Sequence, residues 1–283
     1  MSLGILTNVA ATYAENNLNQ TQGSLQTVLQ QLSSGSRINS GADDAAGLSV
    51  ADGLKANEAA LTQSAQNAQN GVGLLQTADG ALSQVTNLLT RAVTLATEAA
   101  NGGLTTAQAT AADTEFQSIV KEIGNIGSTT NFNSTNVFSA TATNFVVSDG
   151  TAGGTTTIAA TTGALSNASI GTATGGGAGI DLSAAVLTSA ASATTALGNI
   201  TSAIADVANQ RGAIGANINQ LNAAASVASS EEVNLSSAES AIRSTNYGQA
   251  TSDLAKFQVL SQTGISALAQ ANSVQQEILK LLQ

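Results

Sequence analysis

The stretch that decides the fold is residues 51–100, ADGLKANEAALTQSAQNAQNGVGLLQTADGALSQVTNLLTRAVTLATEAA. An apolar residue occupies every seventh position without a miss: Leu54, Leu61, Ala68, Leu75, Leu82, Leu89 and Ala96. A period of seven sustained this long predicts helices that wrap around each other in a left-handed coiled coil. The chain has no proline to interrupt this helix, which is predicted to run from Asp44 to Ala100 and to be about 85 Å long at 1.5 Å per residue.

Helical periodicity continues on both sides of this stretch. The N-terminal helix is predicted to end at Ser33-Ser34-Gly35, where glycine supplies a left-handed conformation. Ser40 or Asp43 is predicted to cap the next helix, with the Asp43-Asp44 pair near its positive end. Further helices are predicted over about 106–124 and, on either side of a break at Tyr247-Gly248, over 190–283.

Residues 139–189 differ from the helical parts in being rich in Gly, Ser, Thr and Ala. Asn144–Ser148 and Thr155–Ile158, set between glycine clusters, predict short strands in a segment that protrudes where the chain turns back. The predicted fold class is therefore mainly α. It is a long antiparallel helical coiled-coil bundle formed by the N- and C-terminal segments, with a small β/loop-rich variable middle segment.

The composition excludes several classes of function. Without Cys or His the chain has no thiol or imidazole for catalysis and no soft ligand for zinc, so we expect no enzyme activity, metal or cofactor. Its net charge of −10 with eight basic residues argues against nucleic-acid binding. The sequence contains no apolar run of ~18 residues, so membrane insertion is not expected. The first residues do not form the pattern of a cleaved signal peptide.

Only 9% of the residues are charged, against about 25% in ordinary soluble domains. The shortage is greatest in the terminal helices: Glu15 is the only charged side chain before Arg37. The sequence therefore predicts that the two ends pair with each other and with other copies of the chain. The predicted subunit-assembly interface consists of Leu6, Val9, Tyr13, Leu25, Leu29, Leu32, Leu254, Phe257, Leu260, Leu268, Ile278 and Leu281.

Several motifs resemble those of the bacterial flagellins. At the N-terminal side these are LSSGSRINS (32–40), DDAAGL (43–48), GVGLLQTADGAL (71–82) and NFN (131–133). At the C-terminal side they are NLSSAESAIR (234–243), LAQAN (268–272) and LKLL (279–282). The positions that carry the family signature are Arg37, Ile38, Asn39, Asp43, Asp44, Gly47 and Arg243.

The resemblance implies a structural subunit of the flagellar filament that is exported unfolded, assembled at the distal tip and located outside the cell. It implies a flagellar export chaperone, a cap and hook-associated proteins as partners. It also implies a terminal core domain (1–40 and 245–283) whose paired helices line the filament lumen. Around it would lie a helical bundle tube domain (41–138 and 190–244) and a short solvent-facing variable segment (139–189).

The resemblance extends to a stretch that Toll-like flagellin receptors of vertebrates recognise. Arg91 and Leu95 match this stretch, but Thr94 stands where a glutamate is typical. We therefore expect weak recognition by that receptor.

Alternatives remain at three levels. A hook–filament junction protein would share the terminal helices, and a rare secreted enzyme could occupy the middle segment. The Asp43-Asp44 pair could be a carboxylate dyad instead of a cap, and the glycines of 175–179 could cradle a phosphate instead of forming a flexible loop. Arg211 could bind an anion, set register or pair with a glutamate, and the Ser/Thr-rich middle could carry O-linked sugar.

Overall fold

The computed structural model describes residues 8–148, 155–173 and 177–281. Within these ranges it has five helices: α1 (Val9–Ser34), α2 (Ala45–Ala100), α3 (Thr106–Thr129), α4 (Ala190–Arg243) and α5 (Tyr247–Leu281). Six short strands lie between α3 and α4: β1 (Asn131–Phe132), β2 (Thr135–Asn136), β3 (Thr143–Ser148), β4 (Thr155–Ala160), β5 (Ile170–Ala173) and β6 (Gly177–Ile180). The predicted mainly-α class is confirmed.

The chain divides into two compact units. The terminal unit comprises residues 1–56 and 234–283, and the central unit comprises residues 57–233. The terminal unit therefore contains α1, the first turns of α2, the end of α4 and α5. The division into three domains expected from the sequence stays a prediction.

The core of the central unit is built from the period-seven positions of α2. From Leu61 to Ala96, each of these side chains is at most 3% exposed. From Ala68 to Ala96 they pack against α3 and α4 in one continuous apolar cluster. Helices α2 and α4 run antiparallel in this unit. Two contacts show this direction: Gly71 lies against Leu221, and Asp79 pairs with Arg211. The predicted antiparallel bundle is thus present.

Helix α3 is longer than predicted. It begins with a reciprocal capping box between Thr105 and Gln108, and it buries Phe116. The sequence predicted an end near Gly124, but the helix continues to Thr129. In this last part of the helix Gly127 lies so close to the Leu165 carbonyl oxygen that a side chain there would overlap it.

The predicted strands of the middle segment form an antiparallel hairpin, β3–β4, in which Phe145 lies opposite Ile158. The hairpin is attached to α2: the Ser64 hydroxyl donates to the Ser148 carbonyl oxygen (2.8 Å), and the Ser148 N–H donates to the Ser64 hydroxyl oxygen (2.8 Å). Ile158, Leu165, Ile170, Leu182 and Leu187 are buried in the same cluster as the helices. The middle segment therefore contributes to the core, which its composition did not predict.

The glycine-rich stretch 175–179 was expected to be a flexible loop, and for its last three residues this is wrong. Gly177–Ile180 form β6, which pairs with β5. The carbonyl oxygens of Ile170 and Gly171 occupy the space where a Cβ of Gly179 would lie, so the absence of a side chain permits this close pairing. Gly175 and Gly176 lie outside the described residues.

Candidate assembly surface

Helices α1 and α5 pack antiparallel along a seam with heptad spacing. Asn8 donates from its side-chain amide to the Ala271 carbonyl oxygen (2.9 Å), and Leu18 faces Gly264. Every seam position is partly or fully buried. The seam of α1 consists of Ala11, Ala14, Leu18, Thr21, Leu25, Val28 and Leu32, and that of α5 of Ala250, Leu254, Phe257, Ser261, Gly264, Leu268 and Ala271.

Small residues make this seam close but poor in buried apolar surface. A Cβ added to Gly264 would lie 3.2 Å from Leu18 Cδ1, so the two helices approach closely there. Within α1 only Val28 is fully buried. Because burial of apolar area is the main stabilising term, this helix pair gains little stability from its own contact.

Other apolar side chains of the same helices are exposed at positions outside the seam, and we call this set the outer apolar face. It includes Tyr13, which is 69% exposed, and Val259, which is 63% exposed. A shallow pocket of about 340 Å³ lies beside Tyr13 and is lined by Val9, Thr12 and Asn16. The outer apolar face consists of Val9, Tyr13, Leu29, Val259, Leu260, Ile265 and Val274.

The structure divides the predicted assembly interface between these two surfaces. Leu25, Leu32, Leu254, Phe257 and Leu268 lie in the seam, whereas Val9, Tyr13, Leu29 and Leu260 are exposed. Leu6 and the side chains of Ile278 and Leu281 lie outside the described residues. Spacings of three, four and seven do not separate neighbouring helical faces, so the predicted N-terminal set combines residues of both surfaces.

The outer apolar face also contains Val259, Ile265 and Val274, which were absent from the predicted set. A signal for them exists in the sequence. Each lies off the heptad positions that Leu254, Phe257 and Leu268 define, so these three are apolar residues that the seam cannot bury.

All family-signature positions except Gly47 lie in one place, which we call the joint (residues 35–44 and 243–247). The Arg37 N–H donates to the Arg243 carbonyl oxygen (2.7 Å), and the Thr245 N–H donates to the Gly35 carbonyl oxygen (3.0 Å). Between these bonds Ser36 and Ser244 form an antiparallel bridge. The joint therefore fastens the end of α1 to the connection between α4 and α5 by main-chain hydrogen bonds.

Side chains complete the joint. The Arg37 guanidinium donates from Nη2 to the Ile242 carbonyl oxygen (2.8 Å). Its positive charge there interacts favourably with the negative C-terminal end of the α4 dipole. Arg243 Nη1 lies 3.4 Å from Glu239 Oε1 and 3.9 Å from Asp52 Oδ1. Gly35 ends α1 with φ +71°, the left-handed conformation predicted for it.

The acidic pair of the joint has two separate tasks. Asp44 caps α2, because its Oδ1 accepts from the Gly47 N–H (2.8 Å), so the predicted caps Ser40 and Asp43 are wrong by position. Asp43 Oδ2 instead accepts from the N–H groups of Ser40 (2.8 Å) and Asn39 (3.0 Å). These backbone hydrogen bonds hold the pKa of Asp43 below its usual value, and the one from Ser40 has the larger effect. The sequence placed the charge correctly but could not show which carboxylate turns toward which amide.

Two further signature residues are packed tightly. Ile38 is only 1% exposed, and its Cδ1 would lie 2.9 Å from a Cβ at Gly47. Asn39 donates from its side-chain amide to the Ser36 carbonyl oxygen (2.8 Å). Glycine is thus required at position 47, because any side chain there would displace Ile38 and the capping Asp44, which both lie against it.

The receptor-like stretch has one exposed and one buried member. Arg91 makes a two-pronged contact with Glu115 on α3, Nε to Oε1 at 2.7 Å and Nη2 to Oε2 at 3.0 Å. This contact raises the pKa of Arg91 and lowers that of Glu115. Leu95 is 3% exposed in the core. The weak recognition expected from Thr94 stays a prediction.

Arg211 pairs with an aspartate, Asp79 of α2, and not with a glutamate as one alternative held. Arg211 Nε lies 2.7 Å from Asp79 Oδ1, and Nη2 lies 3.2 Å from Oδ2. The hydrogen bond to Asp79 raises the pKa of Arg211. The pair joins two antiparallel helices, and a role in setting their register stays a prediction.

None of the helices in the described ranges has both the length and the apolarity that crossing a bilayer requires. The described residues also hold no group of three potential metal ligands of the His, Cys, Asp or Glu type.

Comparison with known proteins identifies two family regions in the chain and relatives of similar length. The bacterial flagellin N-terminal helical region matches residues 5–143, and the bacterial flagellin C-terminal helical region matches residues 197–282. Flagellin FlaB2 of Treponema pallidum is 33% identical over 97% of this chain and 98% of its own length. The flagellar filament 33 kDa core protein of Treponema phagedenis is also 33% identical, over 97% and 98%. Flagellin of Listeria innocua is 31% identical over 98% of both chains.

Among solved structures, the crystal structure of Bacillus cereus flagellin is 28% identical and covers 57% of this chain and 88% of its own, with a TM-score of 0.45. Together the two family regions cover most of the chain, and the relatives match it from end to end. The family consists of structural proteins and not of enzymes. The chain belongs to the bacterial flagellin family, as a subunit of the flagellar filament.

Proposed function

We propose that this chain polymerises with copies of itself through the outer apolar face, and that α1 and α5 form the inner part of the resulting filament. The observation that carries the proposal is the exposure of Tyr13, Val259, Ile265 and Val274 on helices with few charged residues. Burying such side chains against a neighbouring subunit contributes about 1–2 kcal/mol each. One contact is too weak to hold two copies, but several contacts per subunit, repeated along a helical polymer, are sufficient.

The same physics supports export in an unfolded state. The α1–α5 seam buries little apolar surface, so these helices gain their remaining stability when neighbouring subunits cover the outer apolar face. A chain without Cys forms no disulfide that would have to be opened before passage through a narrow channel. We infer secretion to the extracellular flagellum, with a flagellar export chaperone, cap and hook-associated proteins as partners.

The test is seeded polymerisation followed by electron microscopy. The purified chain is mixed with filament fragments, and we expect continued elongation by the unmodified protein. A variant with Tyr13→Ser and Val259→Ser should elongate poorly while its monomer keeps the same helix content. The matched control is Val186→Ser, which changes an exposed valine in the middle segment and should leave elongation unchanged.

Two results would overturn the proposal. One is a persistent monomer under conditions that elongate other flagellins. The other is normal elongation by the double variant. A hook–filament junction protein, the alternative role, would bind to a filament end without supporting further growth, so the length distribution separates the two roles.

A further inference from the structure

The sequence contains two Asn-Gly pairs, and the structure places them in opposite surroundings. Asn70-Gly71 lies in the interior of α2, whereas Asn101-Gly102 follows the last residue of that helix. In an Asn-Gly pair the glycine nitrogen can attack the preceding side-chain amide with little steric hindrance, because glycine has no Cβ. Whether the attack occurs depends on the freedom of the backbone at that point.

The helix around Asn70-Gly71 hinders this reaction. Inside an α-helix the backbone N–H is engaged with the carbonyl four residues earlier, and ψ stays near −42°. Gly71 is buried, and a Cβ there would lie 2.9 Å from Leu221 Cδ1 and 3.0 Å from the Phe145 ring. Movement of the Gly71 nitrogen toward the Asn70 side chain would require α2 to open.

The pair after α2 has the opposite environment. Asn101, Gly102 and Gly103 are all exposed and form a turn before Thr105 caps α3. The Asn101 N–H donates to the Glu98 carbonyl oxygen (3.1 Å), but no hydrogen bond in the described part of the chain engages the Gly102 nitrogen. Apart from Gly102 itself and its two chain neighbours, no residue has an atom within 4 Å of a Cβ built at Gly102. The reacting groups are therefore accessible to solvent and free to approach each other.

We propose that Asn101 is a site of spontaneous deamidation. The Gly102 nitrogen loses its proton and forms a bond with Asn101 Cγ. The bond from Cγ to the side-chain nitrogen breaks, and that nitrogen takes up one proton and leaves as ammonia. Solvent water then opens the resulting succinimide to isoaspartate or aspartate. The net change consumes one water, releases one ammonia and needs no oxidant or metal.

The product differs from asparagine in charge, and the isoaspartyl form also inserts a methylene into the backbone. The new carboxylate stands just beyond the C-terminal end of α2 and close to Glu98, where negative charge is unfavourable. The change is not reversed by solvent, so it accumulates with the age of the molecule. Each old copy then carries an altered turn between α2 and α3.

The experiment uses the intact folded chain in mildly alkaline buffer over several weeks. Peptide mapping by mass spectrometry reads the conversion of amide to acid at residues 70 and 101, and isoaspartyl methyltransferase labelling identifies the iso form. We expect residue 101 to convert at least about tenfold faster than residue 70, because reaction at Asn70 requires local opening of α2. The variant Gly102→Ala, which fits the open space, should slow the conversion at Asn101.

A parallel sample in urea serves as the control, since unfolding removes the difference in environment and both pairs should then convert at similar rates. Equal conversion of residues 70 and 101 in the folded chain would overturn the proposal. An unchanged residue 101 in the folded chain would overturn it as well.

Discussion

At the scale of single residues, the hydrogen bonds of Asp43 predict that the joint loses stability at low pH. Its folded pKa lies below its unfolded value of about 3.9 because Ser40 and Asn39 donate to the carboxylate. Its contribution to stability is therefore complete above that value and is lost as the pH falls through the folded pKa. We expect NMR titration of the Asp43 carboxyl to give a midpoint below the ordinary aspartate value of about 3.9, and the Ser40 amide to lose protection over the same range. A midpoint at or above the ordinary aspartate value would contradict this.

The two arginine–carboxylate pairs of the central unit allow a matched comparison. Each is two-pronged, but the Arg211 and Asp79 side chains are 37% and 39% exposed, against 55% and 47% for Arg91 and Glu115. A double-mutant cycle with Arg211→Met and Asp79→Asn should give a coupling of about 1 kcal/mol or less, since solvent screens both partners. The cycle with Arg91→Met and Glu115→Gln should give a smaller value. Urea unfolding measures both, and the reverse order would refute the role of exposure.

At the scale of elements, two glycines in helix interiors should respond to alanine with opposite sign. Gly80 in α2 has no neighbour within 4 Å of a Cβ, so Gly80→Ala should stabilise the chain by up to about 1 kcal/mol through helix propensity. A Cβ at Gly127 in α3 would overlap the Leu165 carbonyl oxygen. Gly127→Ala should therefore destabilise the chain by about 1–3 kcal/mol despite the better propensity. Chemical denaturation gives both values, and a stabilising Gly127→Ala would disprove the close approach.

The elements also show what a sequence can and cannot predict. Helices α2 and α4 follow from apolar periodicity, because their buried stripes repeat over many turns and tolerate local exceptions. Strand β6 does not, since its glycines permit a close approach that is visible only when β5 is in place. The division of α1 into a seam and an outer apolar face likewise needed the partner helix. Val9 and Leu25 are both apolar residues of α1, but only Leu25 is partly buried in the seam.

At the scale of the whole molecule, the two units should differ in local stability. The central unit holds the continuous apolar cluster, whereas α1 and α5 bury few side chains fully. Amide hydrogen exchange in the monomer should therefore be faster in α1 and α5 than between Ala68 and Leu95 of α2. Polymerisation should slow exchange in the terminal helices and change the centre of α2 little.

The control for this measurement is the Tyr13→Ser, Val259→Ser variant under polymerising conditions, which should keep the exchange pattern of the monomer. Equal protection of α1 and α2 in the monomer would contradict the inference that the terminal helices depend on neighbouring subunits.

The joint has a mechanical consequence for a subunit of a filament. Helix α1 ends and helix α5 begins at the joint, so tension applied to the far end of either helix arrives at the same short stretch of chain. There the bonds Arg37 N–H to Arg243 O and Thr245 N–H to Gly35 O join the two chain segments side by side. A load on one terminal helix is consequently shared by both before it reaches α2 and α4, and no single covalent connection carries the whole of it.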